Sequence, residues 1–334
     1  MKISVIGSGG WGTALAVMLA KQDNDVVLWS YEEKEYEHLK NDRENRAFLP
    51  GVLFPEKLTC TMDLSAAKDA EIVVMAVPSF AVRATARKLS EYISDNQIVV
   101  NVAKGIEKET SKRLSEIIEE EMSANCDIVV LSGPSHAEEV GRGVPTAIIA
   151  TSRSKKAAEI VQDVFMNERF RVYITDDIVG VELGAALKNV MALAAGICDG
   201  LGFGDNSKAA LMTRGLAEMV RLGVALGGKE ETFAGLAGLG DLIVTCMSMH
   251  SRNRRAGILI GEGVPIDKAI EKIGAVVEGY YATQSAMQLA NKVGVEMPIT
   301  AEVHKMLFEG AEPKNALVNL MTRDKKSESG TAWK

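Results

Sequence analysis

The sequence predicts an α/β fold, with a Rossmann-type, doubly wound parallel sheet over residues 1–175 and an all-helical domain over residues 176–334. Three observations support this prediction. A strand-like stretch at the N-terminus runs into glycines spaced G-x-G-x-x-G. Apolar, β-branched runs of strand length then alternate with segments of helical spacing, as in sheets covered on both faces. From Asp176 onward the apolar positions recur with a period of 3.6, and strand-like runs are absent.

The first predicted element is a buried strand that runs directly into a glycine turn and a helix. Residues 3–6 are followed by Gly7, Gly9 and Gly12, and the helix is expected to begin near Trp11. In a dinucleotide-binding turn, the first glycine permits the turn, the second admits the pyrophosphate, and the third allows helix and strand to pack closely. The start of the helix then offers free N–H groups and a positive dipole end to phosphate. This stretch therefore predicts a dinucleotide site.

The remaining elements follow from apolar runs and helical spacing. The longest apolar tract, 178–198, contains Glu182, Lys188 and Asn189. A charge at the centre of a bilayer costs about 2.5–3.5 kcal/mol, so we interpret this tract as a buried helix and not as a membrane span. The charged tail, 323–334, is expected to fray. Further strands are predicted at 26–29, 72–77, 98–102, 128–131, 147–150 and 172–174, and helices at 80–89, 111–122 and 155–165.

Length, charge and cysteine spacing narrow the class of protein. A chain of 334 residues exceeds the size at which one hydrophobic core stops growing, so two domains are expected. The net charge of -7 leaves no broad cationic face for nucleic acid. The four cysteines lie too far apart to indicate a zinc site or a disulfide framework, and the strand-like N-terminus does not resemble a signal peptide. These features predict a cytoplasmic enzyme.

Polar residues follow two of the predicted strands at the edge where open α/β sheets bind their ligands. Lys104 follows the strand at 98–102, where it either holds an anionic group or is a solvated charge. His136 follows the strand at 128–131 and stands beside an expected helix start. Because no partner for His136 is evident from the sequence, a capping or packing role is favoured over a role as a general base.

Lys188 is the anomaly of the second half, because its neighbours one helical turn away are small or apolar. It either extends to solvent or points into a cavity, where burial would lower the pKa of its ammonium into the range useful for proton transfer. Farther along, Asp241 and Thr245 are four residues apart and share a face if helical. Asp241 follows Gly240, however, and also fits a helix N-cap.

A run of four residues at 252–255 is unusually basic for an acidic protein. It contains Arg252, Asn253, Arg254 and Arg255. The guanidinium group presents a fork of donors that matches phosphate, so the run is a candidate anion site. A solvated surface stays open as an alternative for Arg254 and Arg255.

Five motifs together resemble the NAD(P)-dependent glycerol-3-phosphate dehydrogenases of the soluble bacterial type. The resemblance runs from Lys2 to about Asn319. It implies reversible hydride transfer between NAD(P)H and dihydroxyacetone phosphate, which gives sn-glycerol 3-phosphate for phospholipid synthesis, without a metal. The motifs are GSGGWGTALA (7–16), NVAKGIE (101–107), LSGPSHAEEV (131–140), LGAALKNVMALAAG (183–196) and LGDLIVTC with SRNRRAG (239–257).

The same resemblance implies roles for individual residues. Lys188 matches the proton donor and acceptor of the family, with Lys104, Asp241 and Thr245 around the reacting end. The residues that match substrate contacts are Lys104, Gly133, Ser135, Lys188, Asp241, Ser251, Arg252 and Asn253. With the glycine motif included, the expected cofactor contacts are Gly7, Gly9, Gly10, Trp11, Gly12, Tyr31, Lys104, Ala137, Arg252, Val276 and Glu278.

One departure from the family pattern concerns the choice of cofactor. Members that favour NADPH usually place an arginine after the second strand, where this chain has Tyr31, Glu32, Glu33 and Lys34. A carboxylate prefers the free ribose 2′-hydroxyl to a 2′-phosphate. We therefore expect NADH to be used at least comparably with NADPH. Lys34 is the main counterargument, because its long side chain could reach back to a 2′-phosphate.

Other functions and assemblies stay open from the sequence. One alternative is a related two-domain dehydrogenase that acts on a 3-hydroxy acid or a sugar acid. Another is a nucleotide-sensing regulator without activity, although the combination of Lys104, Lys188, Asp241 and Arg252 argues against it. A homodimer is a candidate assembly.

Overall fold

The N-terminal half of the protein is built on one eight-stranded sheet, as seen in a computed structural model that describes residues 1–325 and 327–328. The strand order is β3-β2-β1-β4-β5-β6-β7-β8, and all neighbours are parallel except β6 and β7. The bounds are β1 (Lys2–Ile6), β2 (Asp25–Trp29), β3 (Leu58–Thr61), β4 (Ile72–Met75), β5 (Ile98–Asn101), β6 (Asp127–Ser132), β7 (Thr146–Ser152) and β8 (Phe170–Thr175).

Helices cover both faces of this sheet, which confirms the predicted doubly wound arrangement. In β1, Ile3 and Val5 pack into the core under α1, whereas Ile6 belongs to the core on the other face, with residues of α3 and α4. The helices of this half are α1 (Gly10–Lys21), α2 (Glu33–Asp42), α3 (Val82–Leu89), α4 (Leu114–Glu121), α5 (Ala137–Gly141) and α6 (Lys155–Phe165).

The structure corrects the sequence prediction at three elements. Strand β3 was not expected, because only Leu58 of its four residues is buried and it lies at the edge of the sheet. Helix α2 was not expected either, because it is highly charged and buries only Leu39. The antiparallel pairing of β6 with β7 departs from a wholly parallel sheet. Only the five-residue helix α5 lies between these strands, whereas a parallel crossover usually holds a full helix.

The second half consists of helices and connecting loops as far as the described residues extend, in agreement with the prediction. Most of the expected frayed tail, 323–334, lies outside those residues. The helices are α7 (Ile178–Gly200), α8 (Asp205–Ala225), α9 (Glu230–Ala234), α10 (Asp241–Met247), α11 (Arg252–Gly261), α12 (Ile266–Ile273), α13 (Glu278–Val293), α14 (Pro298–Phe308) and α15 (Pro313–Met321), with a π-helical turn (Leu236–Gly240) directly before α10.

Helix α7 is the central element of this half. It is the one helix among the described residues that is long and apolar enough to cross a membrane, and most of it is buried inside the protein, as predicted. Glycines bring α11 against it: a Cβ atom on Gly196 would lie 2.0 Å from the Arg254 carbonyl oxygen, and one on Gly257 would lie 2.2 Å from the Leu193 carbonyl oxygen. This close approach places the start of α11 beside the middle of α7.

A buried ionic contact holds α7 against the sheet half. The Glu182 carboxylate accepts hydrogen bonds from the Arg113 guanidinium at 2.7 Å and from the backbone and hydroxyl of Ser115 at 2.8 and 2.6 Å. Ser115 lies in the first turn of α4. The contact therefore fixes α7 relative to the strand ends, where Lys188 meets residues of the N-terminal half.

Candidate active site

A cleft of about 690 Å³ lies between the carboxyl ends of the strands and the helical half. It is the place where an open α/β sheet is expected to bind its ligand. Two predicted residues, Gly12 and Gly133, do not line it. The predicted residues that line the cleft are Gly7, Gly9, Gly10, Trp11, Tyr31, Lys104, Ser135, Ala137, Lys188, Asp241, Thr245, Ser251, Arg252, Asn253, Val276 and Glu278.

The glycine turn has the local geometry that a dinucleotide pyrophosphate requires. Gly7 has a φ of +120°, and a Cβ atom there would lie 2.7 Å from the Ala76 carbonyl oxygen. A Cβ atom on Gly12 would lie 2.0 Å from the Gly7 carbonyl oxygen, so this glycine lets α1 pack on β1. Gly9, in contrast, has open space where a Cβ atom would be. A phosphate can therefore approach the backbone at the start of α1, and the site fits a dinucleotide.

Three charged side chains form the centre of the cleft. Asp241 lies between two lysines: its Oδ1 atom accepts from Lys188 Nζ at 2.8 Å, and its Oδ2 atom accepts from Lys104 Nζ at 2.7 Å. Lys188 also donates to the Thr245 hydroxyl at 2.7 Å. Lys188 is only 5% exposed and Asp241 only 1% exposed. Lys188 thus points into the cavity and does not extend to solvent. The alternative N-cap role of Asp241 is wrong, because Gly240 holds the N-cap position and Asp241 is the first residue of α10.

Burial and charge set the protonation of this cluster. Burial lowers the pKa of Lys188 to about 8; the positive charge of Lys104 acts in the same direction, and the Asp241 carboxylate opposes them. Burial by itself would raise the pKa of Asp241, but the two ammonium groups more than offset this, so its pKa lies below the ordinary value. Asp241 therefore stays ionised, and Lys188 can exchange a proton near neutral pH.

Lys104 links this cluster to the loop after β6. Its Nζ atom donates to the Gly133 carbonyl oxygen at 2.8 Å and to Ser135 Oγ at 3.5 Å, and the Ser135 hydroxyl donates to the same carbonyl at 2.9 Å. Gly133 has a φ of +140° and packs against Ile148 of β7, where a Cβ atom would lie 3.0 Å from the Ile148 Cα atom. A glycine at this position aims the carbonyl at Lys104.

The start of α11 forms the cationic end of the cleft. Ser251 caps the helix by accepting from Arg254 N at 3.2 Å, and Arg252 is exposed in the first turn. Asn253 is buried, and its side chain donates to Asn189 Oδ1 at 2.9 Å and accepts from Gly279 N at 2.8 Å. The N-terminus of a helix beside an unburied guanidinium is suited to an anion.

The two remaining arginines of the basic run differ from each other. Arg254 is not solvated, because its guanidinium binds Asp199 at 2.8 Å and is partly buried. Arg255 is exposed, as the sequence analysis allowed, but it also lines the cleft.

Asn189 and His136 are among the cleft residues that the sequence did not single out as site residues. Asn189, next to Lys188, holds Asn253 and so joins α7 to α11. His136 lines the cleft, and its Nε2 atom is buried without a hydrogen-bond partner among the described residues. Burial and the charge of Lys188 lower the pKa of His136, which favours the neutral form of the ring. No sequence signal distinguished this histidine from a packing residue.

The opposite wall of the cleft joins the two halves through Glu278. Its carboxylate accepts from the Ser79 backbone at 3.2 Å and from the Ser79 hydroxyl at 2.6 Å. Burial raises the pKa of Glu278. Ser79 follows β4, whereas Glu278 begins α13 beside Val276, so the contact sets the width of the cleft between the strand ends and α13.

The carboxylates after β2 are arranged differently from the expectation. Glu32 and Glu33 are exposed and do not line the cleft, whereas Glu35 of the first turn of α2 does. Tyr31 lines the same end and is 67% exposed. Glu35 was not predicted as a cleft residue, because the helical turn that directs it inward has no apolar pattern in the sequence. Among the described residues, no group of three His, Cys, Asp or Glu side chains is placed to hold a metal ion.

Comparisons with known proteins agree with this architecture. Residues 2–158 match the family model for the N-terminus of NAD-dependent glycerol-3-phosphate dehydrogenase, and residues 177–318 match the model for its C-terminus. The chain is 54% identical over 330 residues to glycerol-3-phosphate dehydrogenase [NAD(P)+] of Fusobacterium nucleatum, with 98% of each chain covered.

Two further relatives extend the comparison. The chain is 57% identical over 329 residues to glycerol-3-phosphate dehydrogenase [NAD(P)+] of a Thermoanaerobacter species, with 98% of this chain and 99% of the relative covered. A crystal structure of glycerol-3-phosphate dehydrogenase from Coxiella burnetii superposes with a TM-score of 0.93 at 40% identity. That match covers 96% of this chain and 99% of the other.

Proposed function

This chain belongs to the family of NAD-dependent glycerol-3-phosphate dehydrogenases, and we propose that Lys188 exchanges the proton in its reaction. It is an NAD(P)-dependent oxidoreductase that acts on glycerol 3-phosphate and interconverts it with dihydroxyacetone phosphate. The observation that carries our assignment is the burial of Lys188 between Asp241 and Thr245, with a pKa of about 8. A lysine in that state both gives up and accepts a proton near physiological pH.

The reacting end then works as follows. When bound, the nicotinamide supplies the hydride to C2 of the ketone, or accepts it from C2 of the alcohol. Lys188 gives a proton to the oxygen on C2 during reduction and takes it back during oxidation. Lys104 adds a second positive charge beside this oxygen and stabilises the negative charge that develops there. Asp241 holds both ammonium groups at 2.7–2.8 Å and so fixes their direction before the substrate arrives.

The phosphate of the substrate is assigned to the start of α11. Arg252 is exposed there, and Ser251 and Asn253 flank it at the N-terminus of the helix. A phosphate held at this position is remote from C2, so its binding energy orients the reacting carbon without taking part in bond formation. Gly133 contributes indirectly, since its carbonyl oxygen accepts from Lys104.

The cofactor is assigned to the glycine turn and the walls on either side of it. Gly7, Gly9 and Gly12 shape the turn, while Gly10 and Trp11 begin α1. Trp11 Nε1 is buried without a hydrogen-bond partner among the described residues, which leaves a donor for a ligand. The residues proposed to complete this part of the site are Tyr31, Lys104, Ala137, Arg252, Val276 and Glu278.

Some features of the whole chain are also part of the proposal. We place the domain boundary at residues 175 and 176, between the end of β8 and the start of α7. A cytoplasmic location and a homodimeric assembly are inferred from the family. Size-exclusion chromatography with light scattering tests the assembly, since a purely monomeric particle would contradict it.

A spectrophotometric assay of the purified protein tests the function. Dihydroxyacetone phosphate with NADH and with NADPH should be reduced much faster than a panel of 2-oxo and 3-oxo acids. Preferential reduction of an oxo acid would indicate the related hydroxy-acid dehydrogenase. Binding of the reduced cofactor without turnover of any substrate would indicate a regulator.

A further inference from the structure

The cofactor cleft has a distinct end beyond β2, defined by Trp29, Tyr31 and Glu35. The Ser8 and Ser30 hydroxyls, which follow β1 and β2, are hydrogen-bonded to each other at 2.9 Å. In a Rossmann-type sheet, the adenosine ribose lies beyond this part of the sheet, because the pyrophosphate is held at the neighbouring glycine turn. The residues at this end are therefore the ones that can meet the ribose 2′ position.

Glu35 is the acidic side chain that this end presents to the cleft. It lies in the first turn of α2, where the helix dipole favours a negative charge. Its Oε1 atom is buried, and the Ser8 and Ser30 hydroxyls face the carboxylate as hydrogen-bond donors. An ionised carboxylate has about four acceptor sites, so two hydroxyls leave room for a further hydrogen bond from a ligand hydroxyl.

The positive charges of the cleft lie on other elements. Within the described part of the chain, the lysines and arginines that line it are Lys104 after β5, Lys188 of α7, and Arg252 and Arg255 of α11. Lys88 lies near this end, with its Nζ atom 5.9 Å from the centre of the Tyr31 ring, but it does not line the cleft. A 2′-phosphate beyond β2 would thus meet a carboxylate and no lining cation.

We propose that Glu35 accepts a hydrogen bond from the 2′-hydroxyl of the adenosine ribose and disfavours a 2′-phosphate, which makes the enzyme selective for NAD(H) over NADP(H). This proposal rests on the proposed function, because it needs the dinucleotide in this cleft. Glu35, and not Glu32 or Glu33, is then the source of the cofactor selectivity, since Glu32 and Glu33 are exposed to solvent.

The test is a fluorescence titration of the protein with NADH and with NADPH in the absence of substrate. Hydrogen bonds to charged groups contribute about 1.5–3 kcal/mol, so the wild-type dissociation constant for NADPH should exceed that for NADH by roughly tenfold or more. In Glu35→Gln the negative charge is removed while an acceptor for the hydroxyl remains. The ratio of the NADPH dissociation constant to the NADH dissociation constant should therefore fall by roughly tenfold, mainly because NADPH binds more tightly.

Glu33→Gln is the matched control, because it makes the same charge change on an exposed position of the same helix. Its ratio should stay within about twofold of wild type. The proposal is overturned if the wild type binds both cofactors equally, if Glu35→Gln leaves the ratio unchanged, or if Glu33→Gln changes it as much. A protein that binds neither NADH nor NADPH would overturn the proposed function as well. A protein that binds both cofactors without the expected ratio would overturn only the role of Glu35.

Discussion

The two ends of the proposed substrate region differ in how deeply their charged side chains are buried. At the reacting end, Lys188, Asp241 and Lys104 are held by hydrogen bonds of 2.7–2.8 Å, and Lys188 and Asp241 are almost completely buried. At the end proposed for the substrate phosphate, Arg252 is exposed at the start of α11. Chemistry that depends on a tuned pKa needs burial, whereas a site for a dianion needs a cation that is still free to bind it.

The difference predicts separate kinetic consequences for the two ends. Changes at the buried end should act mainly on turnover and on its pH dependence. Changes at the exposed end should act mainly on the preference for a phosphorylated substrate.

The largest effect is expected for Lys188→Ala. General acid–base groups contribute roughly 10²–10⁴-fold, so turnover of dihydroxyacetone phosphate should fall by about that factor. Binding of NADH should persist, because the cofactor is held mostly by the glycine turn. Circular dichroism and a fluorescence titration verify folding and binding. A folded variant with more than about a tenth of wild-type turnover would show that another group transfers the proton.

The next largest effect is expected for Arg252→Ala. Loss of a charge-assisted hydrogen bond of about 1.5–3 kcal/mol should weaken substrate binding by roughly ten- to more than a hundredfold. The preference for dihydroxyacetone phosphate over unphosphorylated dihydroxyacetone should decline accordingly, as measured by kcat/KM for both substrates. Turnover should fall as well, because the anchored phosphate sets the hydride distance.

Arg255→Ala is the matched comparison, since it removes the same charge one helical turn farther along α11. It should keep most of the preference for the phosphorylated substrate. If the preference survives in Arg252→Ala and disappears in Arg255→Ala, the phosphate site has been assigned to the wrong arginine.

The smallest effect is expected in the pH dependence of turnover. If Lys188 exchanges the proton as proposed, reduction needs its protonated form, so kcat for reduction should decrease as the pH rises through about 8. Oxidation needs the neutral amine, so its kcat should increase over the same interval. The Asp241 carboxylate raises the pKa of Lys188 against the effect of burial. In Asp241→Asn the alkaline limb of the pH profile for reduction should therefore move to lower pH. If the limb does not move, Lys188 is not the group whose titration sets it.

Much of the fold was predictable because its signals are local. The glycine motif, the β-branched runs and the change to a period of 3.6 each lie within a short stretch of sequence, and they identified the sheet and the helical half. Strand β3 and helix α2 escaped prediction because each buries a single residue and so carries almost no apolar pattern. Strand β3 is positioned by its pairing with β2, and helix α2 by its packing over the sheet.

The candidate site was predictable in part. Lys188 and Arg252 were found because a lysine among small residues and an arginine run are unusual, and the resemblance to a family gave them roles. Glu35 and the unpartnered Nε2 atom of His136 were not found, because an acidic helix and a histidine after a strand are ordinary patterns. Their inward direction follows from how α2 and α5 pack.

By itself, the sequence determined the types of elements, their order and the residues able to carry charge or permit close approach, because these depend on side-chain chemistry and local period. Only the tertiary structure decided which charges meet. Lys104 is 137 positions from Asp241 in the sequence, and Lys188 is 53 positions from it, yet both lysines bind the Asp241 carboxylate. The packing of α7 against α10, α11 and the strand ends buries Lys188, and this burial lowers its pKa to about 8.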